Sequence, residues 1–122
     1  MKPTATIIGG SMAGLFAANA LIQKGWDLSI HEKVPVPLSG RGAGIATYDD
    51  LAEFVFKATN NNNVLGTTAR SRVSLDLDGN INASYDYPQI YTSWQYLFSV
   101  LRDNIDDRNY YMGDDCVDIK QV

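Results

Sequence analysis

Thr4-Ala5-Thr6-Ile7-Ile8-Gly9-Gly10-Ser11-Met12-Ala13-Gly14-Leu15-Phe16 decides the fold. A short apolar run that stops at glycine is a buried strand over residues 4–9. Beyond it, Leu15, Phe16, Ala18, Leu21 and Ile22 recur at helical spacing over 12–24, and Gly25 ends that helix as a C-terminal cap. Trp26-Asp27-Leu28-Ser29-Ile30-His31-Glu32 is a second strand. Strand, helix and strand within about 30 residues make one βαβ unit with parallel strands.

The turn between the first strand and the helix carries the chemistry. A dinucleotide-binding unit needs a tight turn off the strand, which Gly9 allows. It needs a small residue where the backbone approaches a pyrophosphate, and here that residue is Ser11 in place of glycine. It needs close helix–strand packing, which Gly14 allows. Ser11 is small, and its hydroxyl can itself donate to a phosphate oxygen. The helix N-terminus, at Met12 and Ala13, offers free N–H groups and a partial positive charge to the phosphates. Glu32 stands 18 residues after Gly14, at the end of the second strand. A carboxylate there can accept both ribose hydroxyls of an adenosine and repels a 2′-phosphate, which disfavours NADP at this site. A glycine-rich turn alone is weak evidence. This one follows a strand, opens a helix and is answered by an acid at the right distance.

Further along, residues 33–47 are rich in proline and glycine and are expected to be loop. Thr47 and Asp50 have capping-box spacing for a helix through Leu51, Phe54, Val55 and Phe56 to about Ala58, and 60–63 is polar loop. Val73, Leu75 and Leu77 alternate with polar residues, Asp78-Gly79 is a turn signal, and Ile81-Asn82-Ala83 can return as a partner strand. This hairpin breaks the parallel pattern and begins an antiparallel layer. Ser93 caps a helix carrying Trp94, Leu97, Phe98, Val100 and Leu101, and 116–122 is expected to be a strand cut off by the chain end.

Composition narrows the function classes. The chain has 122 residues, net charge -4 and one cysteine. No basic cluster is present to neutralise a nucleic acid, and the acidity argues against anionic membranes. No apolar run approaches the ~20 residues of a membrane span. One cysteine allows no internal disulfide and fits a reducing cytoplasm. His31, the sole histidine, is read as a packed or edge residue. Cys116 is read as a small buried side chain, Tyr85, Tyr87, Tyr91, Trp94 and Tyr96 as core packing or a wall of the flavin or substrate pocket, and Asp114, Asp115 and Asp118 as a solvated turn with no metal-loop spacing. Arg41, on a glycine-rich loop, is read as a phosphate contact or a surface charge.

The order of these features resembles the class A FAD-dependent aromatic monooxygenases, the para-hydroxybenzoate hydroxylase-like family, in the branch that contains 2,6-dihydroxypyridine hydroxylase. The resemblance runs through Gly9-Gly10-Ser11-Met12-Ala13-Gly14-Leu15, Glu32-Lys33, Pro37-Leu38-Ser39-Gly40, Gly42-Ala43-Gly44-Ile45 and Ser93-Trp94-Gln95-Tyr96-Leu97. It implies an α/β, Rossmann-like (glutathione reductase-type) FAD-binding unit with its flavin loop over 1–66. The start of a substrate-domain β-layer follows over 67–92, and the chain returns to the FAD-binding domain over 93–122. By the same resemblance Ser11, Met12 and Ala13 face the pyrophosphate, and Glu32 holds the ribose with Lys33 beside the adenosine. Arg41 reaches the pyrophosphate or flavin side, and Gly44, Ile45 and Ala46 lie along the flavin. The main chain at Cys116 touches adenine. Where many relatives carry a cofactor-contacting arginine, this chain has Trp94.

The implied activity is hydroxylation of a small aromatic or heteroaromatic ring with O2 and NADH or NADPH, through a flavin C4a-hydroperoxide. The flavin performs the hard chemistry, and no catalytic side chain is assigned. The family's later Asp-Gly and Gly-Asp motifs are expected beyond residue 122, so the chain is expected to be the N-terminal piece of a longer protein, which the resemblance allows to be a homodimer. Two other classes share the first turn: an FAD-dependent amine oxidase or dehydrogenase, and a truncated, non-catalytic nucleotide-binding domain.

Overall fold

The computed structural model describes residues 1–121. In chain order the elements are β1 (Thr4–Ile8), α1 (Met12–Gln23), β2 (Asp27–Glu32), β3 (Gly44–Thr47), α2 (Asp49–Thr59), β4 (Thr67–Leu75), β5 (Ile81–Ser93), α3 (Trp94–Asp103), a 3-10 turn at Asp107–Asn109, and β6 (Tyr110–Met112). They form two sheets of three strands, ordered β1-β2-β6 and β3-β5-β4.

The first sheet is parallel. Ile7 lies opposite Ile30, and Ile30 opposite Tyr110. Alternation along β2 buries Leu28, Ile30 and Glu32 toward the helices and turns Asp27, Ser29 and His31 the other way, as period-two geometry requires. The expected βαβ unit is present, and Gly25 ends α1 with φ +76° and its N–H on Ile22 O. β6 was not expected. Three residues are too few for a periodic signal, and the strand forms because β2 offers a free edge.

The core lies between this sheet and the three helices. Leu15, Ile30, Val55 and Leu101 are fully buried, each contributing roughly 1.5–3 kcal/mol by leaving water. Phe16 and Phe54 bring α1 and α2 into ring contact at 5.7 Å. A polar clamp runs through the same core. The fully buried Asn19 amide donates to Leu15 O and Leu101 O. Its carbonyl oxygen accepts from Asn104 Nδ2, which also donates to Ala58 O. One asparagine pair thus ties α1 to the end of α3 and the end of α2.

The second sheet departs from expectation in extent. β3 occupies part of the 33–47 segment taken as loop. Its four residues show no periodicity, and they are held by antiparallel pairing to β5 from Gly44 opposite Ser93 to Thr47 opposite Ile90. That ladder also removes the expected capping box, because Thr47 is committed to β3 and Tyr48 takes the N-cap position without a side-chain bond. The hairpin is far longer than its alternating segment. Its turn is tied by Asp76 Oδ1, which accepts from Asp78 N–H and Asn80 N–H. Ser93 caps α3 as expected, its hydroxyl accepting from Tyr96 N–H at 3.1 Å. The strand expected at the chain end is not formed over 116–121, where nothing pairs with it; Val122 lies outside the described residues. Among the described residues no helix is long and apolar enough to cross a membrane.

Replacing Asn19 with alanine leaves Leu101 O without this donor and the Asn104 amide with Ala58 O alone. The expected loss is about 1–3 kcal/mol, the cost of stranding buried polar groups. It is read as a lower midpoint of urea unfolding at unchanged slope, and an unaltered midpoint would refute the clamp.

Candidate functional site

The Gly9–Gly14 turn is built peptide by peptide. Gly9 sits at φ +98°, a conformation open to glycine and costly for other residues, and its N–H donates to His31 O at 2.8 Å. A Cβ on Gly14 would overlap the Gly9 carbonyl oxygen, so the close helix–strand packing expected of Gly14 is present. Gly10 N–H donates to Glu32 Oε2 at 2.8 Å. The Gly10 carbonyl accepts from the Tyr110 hydroxyl, also at 2.8 Å, and Ser11 O accepts from Leu15 N–H. The Ser11 hydroxyl makes no capping bond. Among the described residues the N–H groups of Ser11, Met12 and Ala13 carry no protein partner, as the first turn of a helix leaves them.

Glu32 is buried, 5% exposed. Its carboxylate is compensated by two main-chain donors: Oε2 takes Gly10 N–H, and Oε1 takes Val34 N–H at 3.0 Å. Each oxygen retains acceptor capacity, since an ionised carboxylate offers about four lone-pair sites. Burial, with the Glu32 charge nearby, pushes the Tyr110 phenol above its ordinary range and keeps it a donor. Arg102 lies 4.2 Å over the Tyr110 ring and pairs with Asp107 at 2.6 Å.

Above the ends of β1 and β2 lies a cleft of about 140 Å³ that brings Gly9, Glu32, Lys33 and Cys116 together. Its far wall is the segment after β6. Asp114 N–H donates to Glu32 O at 3.0 Å, and the Asp114 carboxylate meets His31 Nδ1 at 2.9 Å. The His31 ring stacks on Tyr111 at 4.9 Å. Asp114 is therefore a structural anchor and not only a solvated turn residue. Cys116 is exposed, contrary to its reading as a buried side chain: it stands on an unpaired segment with no layer above it. The aromatic group does not form one packed cluster. Trp94 packs, stacked on Phe98 at 4.8 Å, while Tyr85, Tyr87, Tyr91 and Tyr96 are exposed, because the long hairpin has open faces.

Ser11, Met12, Ala13 and Gly14 lie in the turn and helix beside this cleft without lining it, and Arg41, Gly44, Ile45 and Ala46 do not enter it. Gly44, Ile45 and Ala46 belong to β3 in the second sheet, and Arg41 is exposed and makes no ion pair among the described residues. Tyr110 went unnoticed in the sequence. The signal was Tyr110-Tyr111-Met112-Gly113, a short apolar run ending in glycine like Ile7-Ile8-Gly9.

No family model matches the chain. It is 38% identical over 60 residues to the 2,6-dihydroxypyridine 3-monooxygenase of Paenarthrobacter nicotinovorans, 47% of this chain and 15% of that protein. The structure of 2,6-dihydroxypyridine-3-hydroxylase from Arthrobacter nicotinovorans superposes on the whole chain with TM-score 0.84 at 25% identity, and 31% of that enzyme is covered. The fold is that of the flavin-dependent ring monooxygenases. Klebsiella pneumoniae HpxO, complexed with FAD and uric acid, shares the fold over 91% of this chain and 31% of its own, with TM-score 0.70 at 19% identity. The chain thus spans about a third of the length of these structures.

Gly14→Ala sets two effects against each other. Alanine favours a helix over glycine by roughly 1 kcal/mol, but here its Cβ meets a main-chain oxygen that cannot swing aside. Overpacking of this kind costs about 1–3 kcal/mol, so the variant is expected to melt below the parent. A higher melting temperature would show that α1 can move off β1 freely.

Proposed function

We propose that this chain is the FAD-binding part of a monooxygenase that hydroxylates an aromatic or heteroaromatic ring with O2 and NADH or NADPH. The observation that carries the proposal is the superposition of the whole chain on 2,6-dihydroxypyridine-3-hydroxylase, with Gly9, Glu32, Lys33 and the Cys116 segment meeting at one cleft.

The donor set suits the cofactor. The free N–H groups of Ser11, Met12 and Ala13, with the Ser11 hydroxyl, face the diphosphate. Gly9 and Gly14 let the main chain come close to it. Glu32 accepts from the ribose with the lone pairs that Gly10 and Val34 leave free. Lys33 and the main chain at Cys116 flank the adenosine. Arg41, Gly44, Ile45 and Ala46 serve the flavin side, and residues 67–92 begin the substrate layer. When bound, FAD supplies the redox chemistry of reduction by NAD(P)H and activation of O2. The residues of this chain bind and orient it, and none is assigned a proton-transfer role. An aromatic or heteroaromatic substrate agrees with the acts of the named relatives, a dihydroxypyridine for one and uric acid in the complex of another.

Titration with FAD, followed by quenching of flavin fluorescence, tests the cofactor assignment. Glu32→Ala is expected to weaken FAD by about 1–3 kcal/mol, roughly fivefold to 150-fold. A parent protein that ignores FAD would leave a non-catalytic domain as the better description. In the complete gene product, ring-dependent NAD(P)H oxidation with oxygen incorporated into the ring is the expected activity. Electrons passed on without oxygen insertion would point instead to a dehydrogenase or amine oxidase.

A further inference from the structure

The turn that faces the diphosphate is held from beneath by a side chain with no other evident task. β6 brings Tyr110 under Gly10, where it is 8% exposed. Its hydroxyl donates to the Gly10 carbonyl at 2.8 Å. The approach is so close that a Cβ on Gly10 would overlap the phenol, so Gly10 is a glycine for the sake of Tyr110. The ring is itself held: Arg102 covers it at 4.2 Å, and Arg102 is fixed by Ile105 O and Asp107.

The peptide bond supplies the next step. No cis peptide occurs among the described residues, and across a trans peptide the C=O and the following N–H point in opposite directions. Pinning the Gly10 carbonyl inward on Tyr110 therefore aims Ser11 N–H outward, away from the buried phenol. The preceding peptide is fixed in the same manner, with Gly10 N–H on Glu32 and the Gly9 carbonyl over Gly14. Two neighbouring peptides are thus set by two buried side chains, from β2 and from β6. Donors held in place before a ligand arrives lose little freedom when it binds.

We propose that Tyr110 is a positioning residue for diphosphate recognition: its hydroxyl fixes the Gly10–Ser11 peptide so that Ser11 N–H is presented to a phosphate oxygen. The inference rests on the nucleotide reading of the cleft. It goes beyond that reading by giving β6 a role in choosing phosphate-bearing ligands over bare nucleosides.

The test compares ADP with adenosine on the full chain by calorimetry, for the parent and for Tyr110→Phe. Phenylalanine keeps the ring beneath Arg102 and deletes one hydrogen bond. ADP binding is expected to weaken by about five- to tenfold, with adenosine binding unchanged. Equal weakening of both ligands would mean a general loss of structure and would overturn the proposal, as would unchanged ADP affinity. If the parent itself does not bind ADP, the nucleotide reading fails first and this proposal with it. A second measurement needs no variant. In the parent, the Ser11 amide proton resonance should move downfield on addition of ADP and not on addition of adenosine. A Ser11 amide indifferent to ADP would also overturn the assignment.

Discussion

The contact on which the rest of the structure depends is the buried bridge from Glu32 to Gly10 N–H. An ionised carboxylate taken out of water costs several kcal/mol unless donors replace its hydration. Here Gly10 N–H and Val34 N–H supply that replacement. The bridge joins the end of β2 to the turn after β1, and so sets strand register, helix entry and cleft shape together. It also means that Glu32 is oriented before any ligand is present. An acid free in solvent would have to be ordered by the ligand, at the ligand's cost in affinity.

The parts of this arrangement that were legible in the sequence are those dictated by local geometry. Gly9 must turn the chain and Gly14 must let α1 close on β1, and both needs are written into the spacing of one short segment. Glu32 was placed correctly, but its main-chain duties were not visible, since nothing in the spacing says that the turn folds back onto the acid. Tyr110 and β6 were invisible for a related reason. Their pairing with β2 joins residues about 80 apart, and a three-residue strand carries no period of its own. β3 was lost in the same way, because a glycine-rich tetrapeptide becomes a strand only when β5 lies beside it. Cys116 shows the converse error. Small apolar character suggested burial, but burial requires a layer to pack against, and the structure has none over that segment.

The two sheets differ in how completely they are satisfied. The helices cover one face of the first sheet with an apolar core and the Asn19–Asn104 clamp. The hairpin of the second sheet leaves Leu75, Leu77, Ile81 and Tyr85 more than half exposed. Ile45 of β3 and Ile90 of β5 still pack against the common core, while the cleft is lined from the first-sheet half.

That separation bears on how the cofactor is divided between the parts of the chain. The groups assigned to the adenosine and diphosphate sit on β1, α1, β2 and the segment after β6, and the turn and Glu32 among them are held by buried contacts. The groups assigned to the flavin sit on β3 and the loop before it. Gly40 N–H on Gln95 and Trp94 N–H on the Ala43 carbonyl are the contacts that tie this loop to α3. The nucleotide end thus has a prearranged donor set, while the flavin end rests on the β3–β5 ladder and on hydrogen bonds at the start of α3. A ligand bound across both would meet its phosphate donors on the first-sheet half and β3 at its far end. In such a division, binding energy collected far from the reacting ring is what pays for placing that ring.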